Sequence, residues 1–164
     1  MNPLARRRIV AYALDATGYV GIAAAMIPLG LLARRAGWGD SQAFVISASA
    51  VPVLLATAIA TRAEIRGGTW GKRRQALRVA APDGAALSLG PALARNVLKI
   101  AIPWHLGHLV AIEGAFGGFD EPRPTLVVTT VATYLIIGVG LWGVLRRSGV
   151  TAYDAVAGSR VRPG

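Results

Sequence analysis

Long apolar runs alternate with shorter polar segments along this chain of 164 residues. The first run covers residues 9–33 with Asp15 as its only charge, and two others cover 44–61 and 126–145 without any charge. A helix rises about 1.5 Å per residue, so about 20 residues cross the roughly 30 Å hydrocarbon core of a bilayer. The pattern therefore predicts three membrane-spanning helices.

A fourth apolar run, residues 91–118, is less clear because it contains ionisable positions and a helix-breaking proline. These positions are Arg95, Lys99, Pro103, His105, His108 and Glu113. Hydrophobic residues make up 54% of the chain, which is more than a soluble domain of this length can bury. The composition therefore favours a membrane protein, but it does not decide how many helices cross.

The distribution of positive charge predicts the topology. Of the 18 Lys and Arg residues, only Arg34, Arg35 and Arg123 lie outside the amino terminus, the segment 62–78, the start of the run 91–118 and the tail 146–164. Short segments rich in Lys and Arg stay in the cytoplasm, so both termini and the loop 62–90 are expected there. This requires an even number of crossings, and residues 91–118 are therefore counted as the fourth.

The predicted fold is an all-α integral membrane protein with four transmembrane helices and cytoplasmic N and C termini, in one domain covering residues 1–164. The net charge of +10 is attributed to these topology-determining residues and their contact with anionic lipid headgroups, not to binding of nucleic acid. The amino-terminal run exceeds the roughly 7–15 residues of a signal-peptide core, which favours a retained first helix.

The cytoplasmic loop contains a turn signal, Pro82-Asp83-Gly84. Segments 76–80 and 85–89 flank this turn, and together they predict a short β-hairpin between the second and third spans. A single hairpin is marginally stable in water, so it is expected to rest on the bilayer surface or on helix ends.

The string Gly68-Thr69-Trp70-Gly71-Lys72 in the same loop resembles part of a phosphate-binding loop. However, Arg66 stands where the first glycine of that motif belongs, and Arg73 stands where Ser or Thr would bind magnesium. Nucleotide binding is therefore not expected.

Several short motifs follow one another along nearly the whole chain. They are Arg8-Ile-Val-Ala-Tyr-Ala-Leu-Asp15, Gly68-Thr-Trp-Gly-Lys72 with Leu77-Arg78-Val79 and Asp83-Gly84, Ala94-Arg95-Asn96, and Tyr153-Asp154-Ala-Val-Ala-Gly158-Ser159-Arg-Val161. Their order and spacing resemble the RDD family of bacterial membrane proteins, which is named after one arginine and two aspartates. By motif position these residues are Arg8, Asp15 and Asp154, and Arg95 matches a further basic position.

The resemblance implies a multi-pass protein of the bacterial cytoplasmic (inner) membrane. It also implies a transport-related activity, proposed for some members as monovalent cation/proton exchange. The matching loop motif includes Gly68, Thr69, Gly71, Lys72 and Arg78, to which the resemblance assigns no individual role.

Asp15 is expected inside the cytoplasmic leaflet, because it lies about 10 Å along the helix from Arg8. An ionised carboxylate there costs about 2.5–3.5 kcal/mol unless it has a partner. Arg95 is the expected partner, either in a structural ion pair or in a proton or cation site, and simple snorkelling to the interface is the remaining alternative. Asp154 is expected to cap a helix or meet the basic loop, and so to dock the tail.

His105 and His108 are neighbours on a helix because they lie three residues apart. Imidazole groups titrate near physiological pH, so with Asp15 and Glu113 they form a predicted ladder of ionisable groups for proton or ion movement. The alternatives are hydrogen-bonded packing histidines and a Glu113 at the outer headgroups. A metal site is not expected, since the chain has no cysteine and no nearby carboxylate completes a four-ligand set.

No nucleophile and base, paired catalytic carboxylates or cofactor loop can be identified, so neither enzyme activity nor a cofactor is expected. Two functions are carried forward: a small ion-coupled transport module using the ladder, and a non-transporting accessory or assembly subunit of a larger membrane complex. An interior ladder would favour transport, whereas closed ion pairs would favour the accessory role. Recurring glycines let helices approach closely, which leaves open both a homo-oligomer and a different membrane-protein partner.

Overall fold

The computed structural model describes residues 2–121 and 123–164, and most of them are helical. The helices are α1 (Ala5–Ala25), α2 (Ile27–Arg35), α3 (Gln42–Ile65), α4 (Trp70–Arg74), α5 (Leu89–Asn96), α6 (Ile102–Glu113), α7 (Pro124–Leu145) and α8 (Ala152–Val156). Two short strands, β1 (Leu77–Ala80) and β2 (Arg160–Pro163), complete the fold.

Three helical segments are long and apolar enough to cross a membrane: Ala5–Arg35, which joins α1 and α2, then α3, then α7. They coincide with the first, second and last apolar runs of the sequence. Two of them begin at a clear start signal. The Ser41 hydroxyl caps α3 by accepting from the Phe44 amide at 3.3 Å, and Pro124 occupies the first turn of α7, where no amide donor is needed.

The predicted third span corresponds to a helical run from Leu89 to Gly118, made of α5, α6 and two wider turns. Residues 97–101 form a wider turn just before Pro103, whose ring nitrogen has no hydrogen to donate. The run ends in residues 114–118, where Gly117 adopts a φ of 88°. This run is not among the three segments above, so the count of four crossings stays a prediction.

The long helices alternate in direction. The start of α1 lies beside the end of α7, since the Asn2 amide donates to the Leu145 carbonyl at 3.2 Å. At the other end of the molecule, the Gln42 side chain at the start of α3 donates to Glu113 at the end of α6 at 3.4 Å. The ends of α3 and α7 and the starts of α1 and α5 therefore share one end of the molecule, called the basic end below.

The predicted hairpin is wrong in its pairing. β1 pairs antiparallel with β2 from the carboxyl-terminal tail, with Leu77 opposite Pro163 and Ala80 opposite Arg160. The turn at residues 81–84 does form, with Gly84 at a φ of 93°, but the chain after it buries Leu87 against Val79 and then begins α5. The carboxyl-terminal tail therefore provides the second strand, and the pairing of β1 with β2 connects the tail to the loop.

Helix packing rests on small residues of α3. Ala56 and Ala60 are fully buried against Ile100, and Tyr19 and Trp104 pack around them. Because these alanines are one turn apart, the same face of α3 continues to Glu64. The packing thereby carries a carboxylate into the interior at the basic end.

Candidate functional site

Six charged side chains meet in the interior of the basic end, and we call them the ionic cluster. They are Arg8, Glu64, Lys72, Arg95, Lys99 and Asp154. They come from α1, α3, α4, α5, the wide turn after α5, and α8, so six segments at this end contribute one each. All six are buried.

Glu64 is the centre of the cluster. One of its oxygens, Oε1, accepts from Lys72 Nζ at 2.5 Å, from Arg95 Nη1 at 2.6 Å and from Lys99 Nζ at 3.1 Å. The other, Oε2, accepts from the side-chain amide of Asn96 at 3.1 Å. A single carboxylate thus joins α3 to α4, α5 and the turn that follows α5.

Asp154 has two roles, because it both caps a helix and forms ion pairs. Its carboxylate accepts from the Thr151 amide at 3.1 Å, and its own amide donates to the Thr151 hydroxyl at 3.2 Å, which together cap α8. The same carboxylate accepts from Arg8 at 2.9 Å and from Arg95 at 2.7 and 3.0 Å. The tail is therefore docked as expected, but by Arg8 and Arg95 and not by the basic loop.

Burial raises the pKa of Asp154, but the guanidinium groups of Arg95 and Arg8 outweigh this effect and hold the pKa below its usual value. The Arg95 guanidinium also lies 5.2 Å from the centre of the Tyr153 ring. The arginine and the second aspartate of the family motif therefore form one ion pair, with Arg95 as a second partner.

The expected pair between Asp15 and Arg95 is wrong. Asp15 accepts instead from the Thr69 hydroxyl and from the Gly71 amide, the latter at 2.8 Å, and no described cation lies within ion-pairing distance of it. The physical reason is that α4 packs directly on α1 at Gly71 and reaches Asp15 first. Asp15 therefore joins the loop motif to α1 through neutral donors.

Positive charge exceeds negative charge in the cluster, which holds four cations and two carboxylates. Burial, together with the charges of Lys99 and Arg95, lowers the pKa of Lys72 from its usual 10.5 to about 7, although Glu64 opposes the shift. Of the four positive charges, the one on Lys72 is therefore stabilised least by the cluster.

Stability is therefore expected to rise with pH between about 7 and 10.5. Because the folded pKa of Lys72 lies below the unfolded one, the unfolded chain binds more protons in this range, and raising the pH favours the folded state. The unfolding temperature in detergent should increase from about pH 6.5 to about pH 9. The free energy of unfolding should rise with a slope that corresponds to no more than one proton per molecule. The Lys72→Gln variant should lose this slope, and Arg147→Gln, at an exposed position, should keep it. An equal slope in Lys72→Gln would contradict the assignment.

The predicted ladder is divided in the structure. His105 and His108 lie half-buried on α6, where Trp104 Nε1 donates to His108 Nε2 at 3.3 Å and the Nδ1 atoms of both histidines have no partner among the described residues. Glu113 is at the opposite end, where it accepts from Thr125 at 3.2 Å and faces Arg123 at 3.5 Å. Asp15 is bound at the basic end, so the four groups do not form one interior row.

Members of the loop motif have different positions. Gly68, Thr69, Gly71 and Lys72 are buried, and they form the segment that packs on α1 and reaches Glu64. Arg78 is exposed, because it occupies the outward-facing position of β1. The motif residues before β1 therefore belong to the site, whereas Arg78 does not.

Sequence reasoning missed Glu64 and the role of Lys99. Glu64 stands between Arg62 and Arg66 and so was counted as part of the basic loop. A usable signal was present, since Ala56, Ala60 and Glu64 repeat every four residues on one face of α3. Arg95 and Lys99 have the same spacing, which places both on one side of their helix.

The family model described as RDD family matches residues 3–158, nearly the whole chain. Comparison with curated proteins and with solved structures gives no match. The matched range includes all six members of the ionic cluster and Asp15.

Proposed function

Because the chain belongs to the RDD family of membrane proteins, we propose that it is a non-transporting accessory or assembly subunit of a larger complex in the bacterial cytoplasmic membrane. The observation that carries this proposal is that both oxygens of each interior carboxylate at the basic end, Asp15, Glu64 and Asp154, accept hydrogen bonds from donors in other segments. A site that exchanges a cation for a proton needs a carboxylate that can release its partners, and these three hold the fold together.

Glycines that have no packing role within the chain give a second line of support. An added Cβ at Gly18, Gly21 or Gly138 would meet no atom of the described residues within 4 Å. In membrane helices, small residues are enriched where another helix approaches closely. These positions on α1 and α7 are therefore suited to a partner helix, and the proposal includes no enzymatic step.

The test uses both flux and cross-linking. Proteoliposomes containing the purified chain should show no sodium- or potassium-driven proton flux above empty liposomes. Since the chain has no cysteine, Gly21→Cys gives a single reactive site for cross-linking in native membranes. It should produce one discrete adduct with another protein, and Val20→Cys, on another face of α1, should not. Flux, absence of any Gly21→Cys adduct, or an adduct of twice the 17.0 kDa chain mass would each contradict the accessory role.

Ion-coupled transport is the second candidate, and a specific observation favours it. The buried Nδ1 atoms of His105 and His108, which have no hydrogen-bond partner among the described residues, lie between Lys99 and Glu113 on one helical run. A proton relay requires such groups. If the flux assay shows activity, Asp15→Asn and the double variant His105→Ala/His108→Ala should abolish it, and unchanged flux in both would exclude these groups as the path.

A further inference from the structure

A cavity of about 500 Å³ lies beside the ionic cluster, between α1, α7 and the first part of α6. Its wall on the α7 side is aliphatic and includes Leu135, Ile136, Val139 and Val144. Its charged groups are Arg8, Asp15, Lys72, Arg95 and Lys99, all at the basic end. The cavity is therefore amphipathic along its length, with cations at one end and hydrocarbon along the wall.

The cavity has the depth of one bilayer leaflet. Its lining on α7 runs from Leu135 to Val144, over which the helix rises about 14 Å, close to half of the roughly 30 Å hydrocarbon core. Leu135 and Ile9 line the cavity and still have 62% and 44% of their surface exposed. The cavity consequently opens sideways between α1 and α7, on the surface that faces lipid.

The cationic end retains unused hydrogen-bond donors. Lys99 uses one of its three N–H groups, on Glu64, within the part of the chain that the structure describes. Arg8 donates through Nη1 to the Gly149 carbonyl and through Nη2 to Asp154, which leaves its Nε without a described partner. Asp15 also lines the cavity, but both of its oxygens are directed to Thr69 and Gly71.

We infer that this cavity binds an anionic phospholipid of the cytoplasmic leaflet, with its phosphate against Arg8, Lys72 and Lys99 and an acyl chain along α7. The lipid supplies the negative charge that the four cations and two carboxylates of the ionic cluster lack. Basic pockets between helices on the cytoplasmic side are suited to such headgroups. The inference does not depend on whether the protein has a protein partner.

A bound phosphate would also change the titration of Lys72. Burial and neighbouring cations lower the pKa of this lysine to about 7. A nearby anion favours the protonated form and would therefore raise this pKa. The rise of the unfolding temperature with pH should therefore become shallower when phosphatidylglycerol is present in the detergent micelles.

Native mass spectrometry of the purified full chain tests the site directly. With equal amounts of phosphatidylglycerol and phosphatidylcholine, we expect at least about fivefold higher occupancy by the anionic lipid, equivalent to about 1 kcal/mol. Two variants address the acyl-chain end. Gly140→Leu fills the cavity, where an added Cβ has only an ordinary contact with Tyr153 at 3.9 Å, and Gly138→Leu places the same side chain on α7 outside the cavity.

Two further variants address the phosphate end. Lys99→Gln should remove the preference for phosphatidylglycerol, and Arg147→Gln, an exposed cation of the same end, should keep it.

At the acyl-chain end, Gly140→Leu should lower binding of phosphatidylglycerol severalfold, and Gly138→Leu should not. Equal unfolding temperatures for the two glycine variants would show that a loss of binding is not a loss of fold.

The contrary outcomes are distinct. Equal binding of both lipids, or unchanged binding in Gly140→Leu, would overturn the proposal. A free phosphate is the other source of the same chemistry: if millimolar inorganic phosphate displaces the lipid and binds Gly140→Leu as well as the unaltered chain, the site is for phosphate and not for lipid. Failure of inorganic phosphate to compete would support the lipid assignment.

Discussion

Glu64→Gln is expected to reduce the stability of the folded protein by about 3–5 kcal/mol, the cost of removing one partner from a buried ion pair. The carboxylate is fully buried and accepts from Lys72, Arg95 and Lys99, so its loss leaves three cations without their shared partner. The glutamine amide keeps the shape and one acceptor oxygen but no negative charge. The measurement is the unfolding temperature and the yield of monodisperse protein in detergent.

Glu113→Gln is the matched control, because Glu113 is also a glutamate at the end of a helix. Its pair with Arg123 is 3.5 Å long, and the arginine side chain is 54% exposed, so its loss should cost no more than about 1 kcal/mol. Adding Lys99→Met to Glu64→Gln should restore part of the lost stability, since one stranded cation is removed. Equal stability of Glu64→Gln and Glu113→Gln would show that the cluster does not hold the helices together.

The sequence was informative where one physical effect dominates. Hydropathy located the three apolar helices, because burial in hydrocarbon requires long uncharged runs whatever the tertiary fold. The apolar runs are shorter than the helices that contain them: the second run covers residues 44–61, whereas α3 continues to Ile65. The last turn of that helix is polar, and hydropathy therefore misses the turn that carries Glu64.

Pairing within the site could not be predicted from the sequence. Arg8 and Asp154 are 146 positions apart and meet only because α1 begins and α7 ends at the basic end and the tail folds back. Four cations and three carboxylates allow many pairings, and the choice of Thr69 and Gly71 for Asp15 depends on how closely α4 packs on α1. β1 and β2 have the same limitation, since their pairing depends on where the tail lies.

The ionic cluster explains why the family motif includes residues so far apart in the chain. Two motif positions in the cluster connect a segment outside the three apolar helices to other helices. Lys72 connects the loop to α3, and Asp154 connects the tail to α1 and α5. Replacing a buried ion pair by apolar groups is often neutral or stabilising, so stability alone does not require such a cluster. The excess of positive charge in the cluster is what the proposed anionic lipid would balance, and this connects the cluster to the neighbouring cavity.

Gly71→Ala is expected to be the second most damaging change. A Cβ at this position would overlap the carbonyl oxygen of Ala11 and lie 3.0 Å from Asp15 Oδ1, so α4 must move away from α1. Overpacking of this kind costs about 1–3 kcal/mol. Loss of the 2.8 Å bond from the Gly71 amide leaves a buried acceptor unpaired and adds about 1–3 kcal/mol.

Gly18→Ala, one turn beyond Asp15 on α1, is the control for this prediction. In residues 2–121 and 123–164 no atom lies within 4 Å of an added Cβ there, so the substitution should be neutral or slightly stabilising through helix propensity. Unfolding temperatures of both variants test the difference, and a double-mutant cycle with Asp15→Ala tests its cause. If the contact with Asp15 is the reason, the two substitutions together should cost less than their sum by about 0.5–3 kcal/mol. Additive costs would instead mean that Gly71 is required only for the approach of α4 to the backbone of Ala11, and that Asp15 is held by Thr69.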